Sequence, residues 1–144
     1  MPNRKDESFC VLPWTHLFAS ERGWIHPCCI SVDDATPLRD PKGQPYQVDR
    51  EGDWEEARNS ETMRGLRREM LAGKRPRACQ ACFQREDRGM ESHRLSSNSR
   101  FVETGRSIFA IAPMDGSWSG SLSSIDIRLG NRCNLRCRIC SPVA

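Results

Sequence analysis

A chain of 144 residues with 22 basic and 19 acidic side chains carries a net charge of +3, an imbalance too small to call for a nucleic-acid or membrane partner. No apolar run approaches the ~18 residues of a membrane span, and the opening MPNRKDESFCVLPW lacks the apolar h-region of a secretory signal. A cytoplasmic, reducing compartment is therefore expected, in which eight cysteines read as metal ligands rather than disulfides.

Residues 1–8 are polar and lie before the structured part. The stretch 9–30, FCVLPWTHLFASERGWIHPCCI, predicts strand, turn and strand, with Gly23 at the turn and cysteine at both ends. Val11, Trp14, Leu17 and Phe18 are candidates to line its buried side. Residues 31–50 are rich in Asp, Pro and Gly and predict a surface loop with a turn at Pro41-Lys-Gly43. Asp53-Trp-Glu-Glu56 has the form of a capping box, an acidic N-cap with Glu three residues later, and predicts a short helix. SETMRGLRREMLAG predicts a second one, capped by Ser60 and closed by Gly73, with Met63, Leu66, Met70 and Leu71 on its apolar stripe. Arg64, Arg67, Arg68, Lys74, Arg75 and Arg77 read as the wet side of that region rather than as a nucleic-acid surface.

Beyond Cys79-Gln-Ala-Cys82, residues 83–94 predict a helix weakened by Gly89, and 95–107 a loop. The apolar run at 107–113 predicts a strand, and the Gly/Ser-rich 114–124 a linker. Ile125, Ile127 and Leu129 alternate with polar residues, the mark of a strand with one buried face. Trp14, Trp24, Trp54 and Phe83 are the expected aromatic core. His16, His26 and His93 read as structural, His26 also as an alternative metal ligand.

Two cysteine groups carry the chemistry. Cys133-Asn-Leu-Arg-Cys137-Arg-Ile-Cys140 places three thiols in eight residues, a density that makes them converge on one soft metal centre. A closed structural zinc site takes four ligands, whereas three thiolates on a cubane leave one iron open. The second group is Cys10, Gly23 and Cys28 in the spacing C-x12-G-x4-C, followed by Cys79-x2-Cys82. Four thiolates from two separated pairs would make a closed site, for zinc or for a four-iron cluster. Of the eight cysteines one is spare, Cys28 or Cys29, and the Gly23 spacing favours Cys28 as the ligand.

The C-x3-C-x2-C loop after a strand resembles the signature of the radical S-adenosylmethionine (SAM) superfamily, over about residues 123–144. The resemblance implies that Cys133, Cys137 and Cys140 ligate a [4Fe-4S] cluster whose fourth iron binds SAM. A reduced flavodoxin- or ferredoxin-type donor would drive cleavage of SAM to a 5'-deoxyadenosyl radical, which abstracts hydrogen from a substrate such as a peptide or protein side chain. The other group resembles the twitch domain, the shortened form of the SPASM domain, which implies a second, auxiliary [4Fe-4S] cluster on Cys10, Cys28, Cys79 and Cys82. It departs from the usual pattern by preceding the barrel. The run Glu86-Asp-Arg-Gly89-Met-Glu-Ser92-His-Arg94 is similar to one that follows the cysteine pair in N-terminal twitch proteins and implies a packing or shielding role.

The expected fold is therefore α+β. A small cysteine-rich, twitch-like domain of hairpin and helices spans 1–107, a linker 108–122, and the first strand and cluster loop of a partial (β/α) barrel 123–144. No residue is assigned as catalytic. The expectation is an N-terminal part of a longer enzyme that does not turn over alone. The competing expectation is a zinc-stabilised binding module for a protein or nucleic-acid partner.

Overall fold

In the computed structural model, which describes residues 7–31, 37–128 and 130, the first apolar stretch divides into three elements. Leu12–Thr15 form a single helical turn, α1, with proline in its first turn, where a missing N–H leaves no bond unmade. His16–Ala19 extend as strand β1 and Ile25–His26 as β2. The two pair antiparallel, Phe18 opposite His26, across a turn in which Gly23 has a φ of 75°. Glycine reaches that left-handed conformation without steric cost. Strand β3, Ser124–Ile127, pairs with β1 in parallel, from His16 opposite Ser124 to Ala19 opposite Ile127. The sheet order is β2-β1-β3, so the strand that precedes the three-cysteine spacing lies in one sheet with the N-terminal hairpin.

Five longer helices lie between β2 and β3 in the chain. They are α2, Asp53–Arg58; α3, Glu61–Leu71; α4, Gln80–Glu86, entered by a 3-10 turn at Arg77–Cys79; α5, His93–Arg100; and α6, Val102–Ile111. The class is α+β. Ser60 caps α3 by accepting from the Met63 N–H, and Met63, Leu66, Met70 and Leu71 are buried, as the apolar stripe predicts. They join Phe9, Val11, Trp14, Leu17 and Ile25 in the core. Among the described residues no helix is long and apolar enough to cross a membrane.

Several expectations are corrected. Asp53 is not an N-cap: α2 starts at Gly52, in left-handed conformation with no side-chain cap, and the Asp53 carboxylate instead accepts the Gln47 N–H at 2.6 Å. The 37–50 stretch is no mere surface loop. Leu38 and Tyr46 are buried, and Tyr46 donates to the Leu38 carbonyl at 2.9 Å. Residues 95–107 are largely helical, and the expected strand at 107–113 is the end of α6. There Gly105 lets the helix approach Phe9 (a Cβ at that position would stand 3.4 Å from its ring), and Ile108 is buried. A run of five apolar residues has no period of its own, so this tertiary contact decides its form. Strand β3 forms, but Ile125 is 50% and Ile127 46% exposed, so the expected buried face is absent at these two positions; Leu129 lies outside the described residues.

Arg67 also departs from its expected place in solvent, being 1% exposed. Its guanidinium donates to the Pro13 carbonyl from Nε and Nη2 at 2.9 and 2.7 Å, to the Gly116 carbonyl at 3.0 Å and to Asn59 Oδ1 at 3.1 Å. All these acceptors are neutral. Burial, followed by the charges of Arg58 and Arg64, pulls its pKa down to about 10, so it remains a cation at neutral pH. Arg67 thereby ties α3 to α1 and to the segment after α6, where the Asn59 amide also donates to the Trp118 carbonyl at 2.8 Å. Replacing it by methionine keeps much of the volume but strands two buried carbonyls. Arg67→Met is expected to destabilise the metal-free chain by about 2–3 kcal/mol, measured by urea unfolding, with faster amide exchange at Trp118 than in the wild type; an unchanged urea midpoint refutes the clamp.

Candidate metal centre

Three segments deliver Cys10, Cys28, Cys79 and Cys82. Cys10 is buried two residues before α1. Cys28 follows β2 in a short turn held by Ser31, whose hydroxyl donates to the Cys28 carbonyl at 3.0 Å and accepts the Cys28 N–H at 3.4 Å. Cys79 ends the 3-10 turn and Cys82 sits in the first turn of α4. Pro76, extended at ψ 144°, stops the preceding chain from running into α4, so the two-residue spacing turns Cys79 and Cys82 toward the same side.

The four thiols are electrostatic neighbours. Burial pushes Cys10 far above the ordinary thiol range, the Leu12 N–H opposes it, and the charges of Cys79 and Cys28 add to it. Burial pushes Cys79 up to about 12, with Cys28 and Cys82 adding to it. Burial raises Cys82 as well, opposed by the Arg94 backbone N–H and reinforced by Cys28. Cys28 is thus the shared neighbour of the other three. Burial raises the Cys29 thiol, with the charges of Cys28 and then Asp126 adding to it, and its sulfur lies 3.8 Å from His93 Nε2. None of these cysteines forms a disulfide.

Around the thiols lies a buried polar frame. The Glu86–Arg94 ion pair closes at 2.5 Å, with the side chains 12% and 5% exposed. Arg94 Nε reaches Glu86 Oε1 at 3.0 Å, and the Ser92 hydroxyl donates to the same oxygen at 2.5 Å. Ser92 also caps α5 by accepting from Leu95. Arg94 Nη1 donates to the Phe9 carbonyl at 2.8 Å. Phe83 is flanked by the guanidiniums of Arg75 and Arg94, each 4.9 Å from its ring centre.

The histidines take other roles. His16 Nδ1 pairs with Ser124 Oγ at 2.8 Å, and burial lowers its pKa. His26 is buried with Nδ1 at 3.0 Å from the Ser31 carbonyl. Among the described residues no three His, Cys, Asp or Glu side chains are arranged to hold a metal ion. The chemistry of the four-thiol set still fits a larger soft centre: its donors are sulfur only, peptide N–H groups reach Cys10 and Cys82, and Arg94 bears on Cys10, Cys79 and Cys82. Such hydrogen bonds and charges are what thiolate-bound clusters use. Cys133, Cys137 and Cys140 lie outside the described residues.

Sequence reasoning missed Asn98, whose Nδ2 donates to the Phe9 carbonyl at 2.8 Å and whose Oδ1 accepts the Val11 N–H at 2.9 Å. Arg94 and Asn98 are one helical turn apart. That spacing was the available signal, hidden because 95–107 reads as a loop.

The raised thiol pKa values give the metal-free chain a defined pH response. A group whose pKa is higher in the folded state stabilises fully below its unfolded value and loses that contribution as pH rises toward the folded one. For Cys79 the window runs from about 9.0 to about 12. The urea midpoint of the metal-free chain is expected to fall across this alkaline range, and less steeply in Cys79→Ala; parallel slopes contradict the burial argument. Comparison of the chain with protein families, with curated proteins and with solved structures finds no match.

Proposed function

We propose that this chain carries two iron–sulfur centres of a radical SAM enzyme. Residues 1–107 would form the domain of an auxiliary [4Fe-4S] cluster, held by Cys10, Cys28, Cys79 and Cys82. Residues 108–122 would link it to 123–144, which open the SAM-binding part with Cys133, Cys137 and Cys140. The observation that supports the reading is that Cys28 bears on Cys10, Cys79 and Cys82, four cysteines drawn from three distant segments. The SAM cluster rests on the C-x3-C-x2-C spacing that follows β3.

The SAM cluster, when bound, supplies the electron that splits SAM into methionine and a 5'-deoxyadenosyl radical for hydrogen abstraction, with a peptide or protein side chain as the proposed substrate. The chain's own residues do the rest at the auxiliary site. Four thiolates fill every iron of a cubane, so this site offers no open position to a substrate and suits electron passage from a flavodoxin- or ferredoxin-type donor. Leu12 and Arg94 aim N–H groups at sulfur, which stabilises the thiolate form. Phe9, Trp14 and Phe83 keep water from the buried side. Loading releases protons, because the thiols are protonated when the site is metal-free. A reducing, cytoplasmic location belongs to the same reading.

Zinc also binds four-cysteine sites, so the metal decides between the enzyme and a zinc-stabilised binding module. Anaerobically purified protein is expected to be brown, with about eight irons per chain for two four-iron clusters. Joint replacement of Cys79 and Cys82 by alanine should lower iron to about half. A colourless protein with stoichiometric zinc sinks the proposal in favour of the module.

A further inference from the structure

Helix α5 contributes no thiol, yet it touches every segment that does. Its first residue, His93, lies 3.8 Å from Cys29 Sγ, next to Cys28. The Arg94 backbone N–H bonds to Cys82, while its side chain holds the Phe9 carbonyl at 2.8 Å. Asn98, one turn on, grips both flanks of Cys10 through Phe9 and Val11. Helix positions four apart share a face, so one face of α5 sets Cys10 against Cys82.

We propose that Arg94 is a positioning residue that fixes Cys10 and Cys82 in one site and, as a buried cation beside the thiols, raises the reduction potential of the auxiliary cluster. The inference rests on the iron–sulfur reading above. The electrostatic part follows from charge balance. One-electron reduction adds a negative charge to the cluster, and a fixed cation nearby stabilises that charge, more so where water is excluded. Arg94 is only 4% exposed. The Glu86 charge opposes it at Cys82, whereas Arg94 favours the thiolates of Cys10 and Cys79. The arm of Arg94 that leaves the ion pair reaches the Phe9 carbonyl, next to Cys10, at 2.8 Å, so the positive end of the pair lies on the Cys10 side. The Glu86 and Ser92 bonds prevent the guanidinium from rotating away.

The test uses the full chain with Cys133, Cys137 and Cys140 replaced by alanine, so that one cluster remains, reconstituted anaerobically and titrated potentiometrically. Arg94→Gln is expected to bind the same iron but to lower the one-electron equilibrium constant about tenfold, a fall of about 59 mV. Arg94→Lys, which keeps the charge, should retain most of the potential. Arg67→Met removes a buried cation that serves the α1–α3 contact instead and should lower thermal stability while leaving the potential in place. Should Arg94→Gln not fold, Glu86→Gln gives the test with opposite sign, a rise in potential. An unmoved potential in the charge variants, or an equal shift in Arg67→Met, overturns the electrostatic part. A parent chain that takes up no iron overturns the cluster reading itself, and with it the claim about potential. Positioning is then decided on the metal-free chain, where Arg94→Gln should speed amide exchange at Val11 at least tenfold; unchanged exchange overturns it.

Discussion

The buried ion pair between Glu86 and Arg94 is the constraint on which the four-thiol site depends. Two charges withdrawn from water are destabilising unless the geometry is good and every remaining donor and acceptor is met. Here the carboxylate takes the guanidinium at two oxygens and the Ser92 hydroxyl as well, and the free arm of Arg94 goes to the Phe9 carbonyl. Burial alone would raise the Glu86 pKa, but the bonds from Arg94 and Ser92 outweigh it and the net direction is down. A depressed carboxyl stabilises above its ordinary value and loses that contribution as pH falls through the lowered one. The pair therefore holds firm at neutral pH. It bridges α4, α5 and the segment before α1, the parts that carry Cys82 and Cys10.

Arg67 solves a similar problem by different means. It is also a buried guanidinium on a helix, but it meets carbonyls and an amide rather than a carboxylate. The Pro13 carbonyl is free to accept twice because α1 is a single turn, too short to use that oxygen within itself. The difference matters for the site. The charge of Arg67 is directed into the α1–α3 contact and the segment at 116, whereas Arg94 meets the Glu86 carboxylate and the Phe9 carbonyl beside Cys10. A chain with a net charge of +3 and a low apolar content thus uses arginine stems as core material and lets their heads join segments that hydrophobic packing would hold weakly.

What could be read from the sequence was whatever is set by local chemistry. Ser60 before an apolar stripe, Gly23 at a turn and the cysteine spacings all specify themselves within a few residues. What could not be read depends on distant partners. Asp53 satisfies the pattern of a capping box, yet Gln47 competes for its carboxylate and wins. Residues 107–113 carry no helical period strong enough to announce α6, which forms because Phe9 offers Gly105 and Ile108 a surface. Arg67 belongs to a basic run and looks wet, because nothing local reveals the carbonyls of Pro13 and Gly116. Leu38 and Tyr46 sit among turn-forming residues that mask their burial. Around the thiols, the frame was visible in part in the sequence, through Glu86, Ser92 and Arg94, but not through Asn98.

The sheet adds a link between the two cysteine groups that spacing could not supply. Strand β3 is placed by its parallel ladder to β1 and by His16 Nδ1, which meets Ser124 Oγ at 2.8 Å. Further along, Asp126 and Arg128 bear on Cys29, the neighbour of Cys28, and the Arg128 guanidinium covers the Phe18 ring at 5.0 Å. The Arg128 N–H closes the ladder on the Ala19 carbonyl at 2.9 Å. The strand that precedes Cys133 in sequence is therefore registered against the segment that presents Cys28, through a central strand buried at every position. Because β2 runs antiparallel to β1 while β3 runs parallel to it, β3 ends level with Ile25, at the start of β2, and the chain leaves β2 for Cys28 at the opposite end of the sheet. A slip of one residue in the β1–β3 register would turn His16 away from Ser124 and Asp126 away from Cys29 together, which makes that register a condition of the surroundings of Cys29.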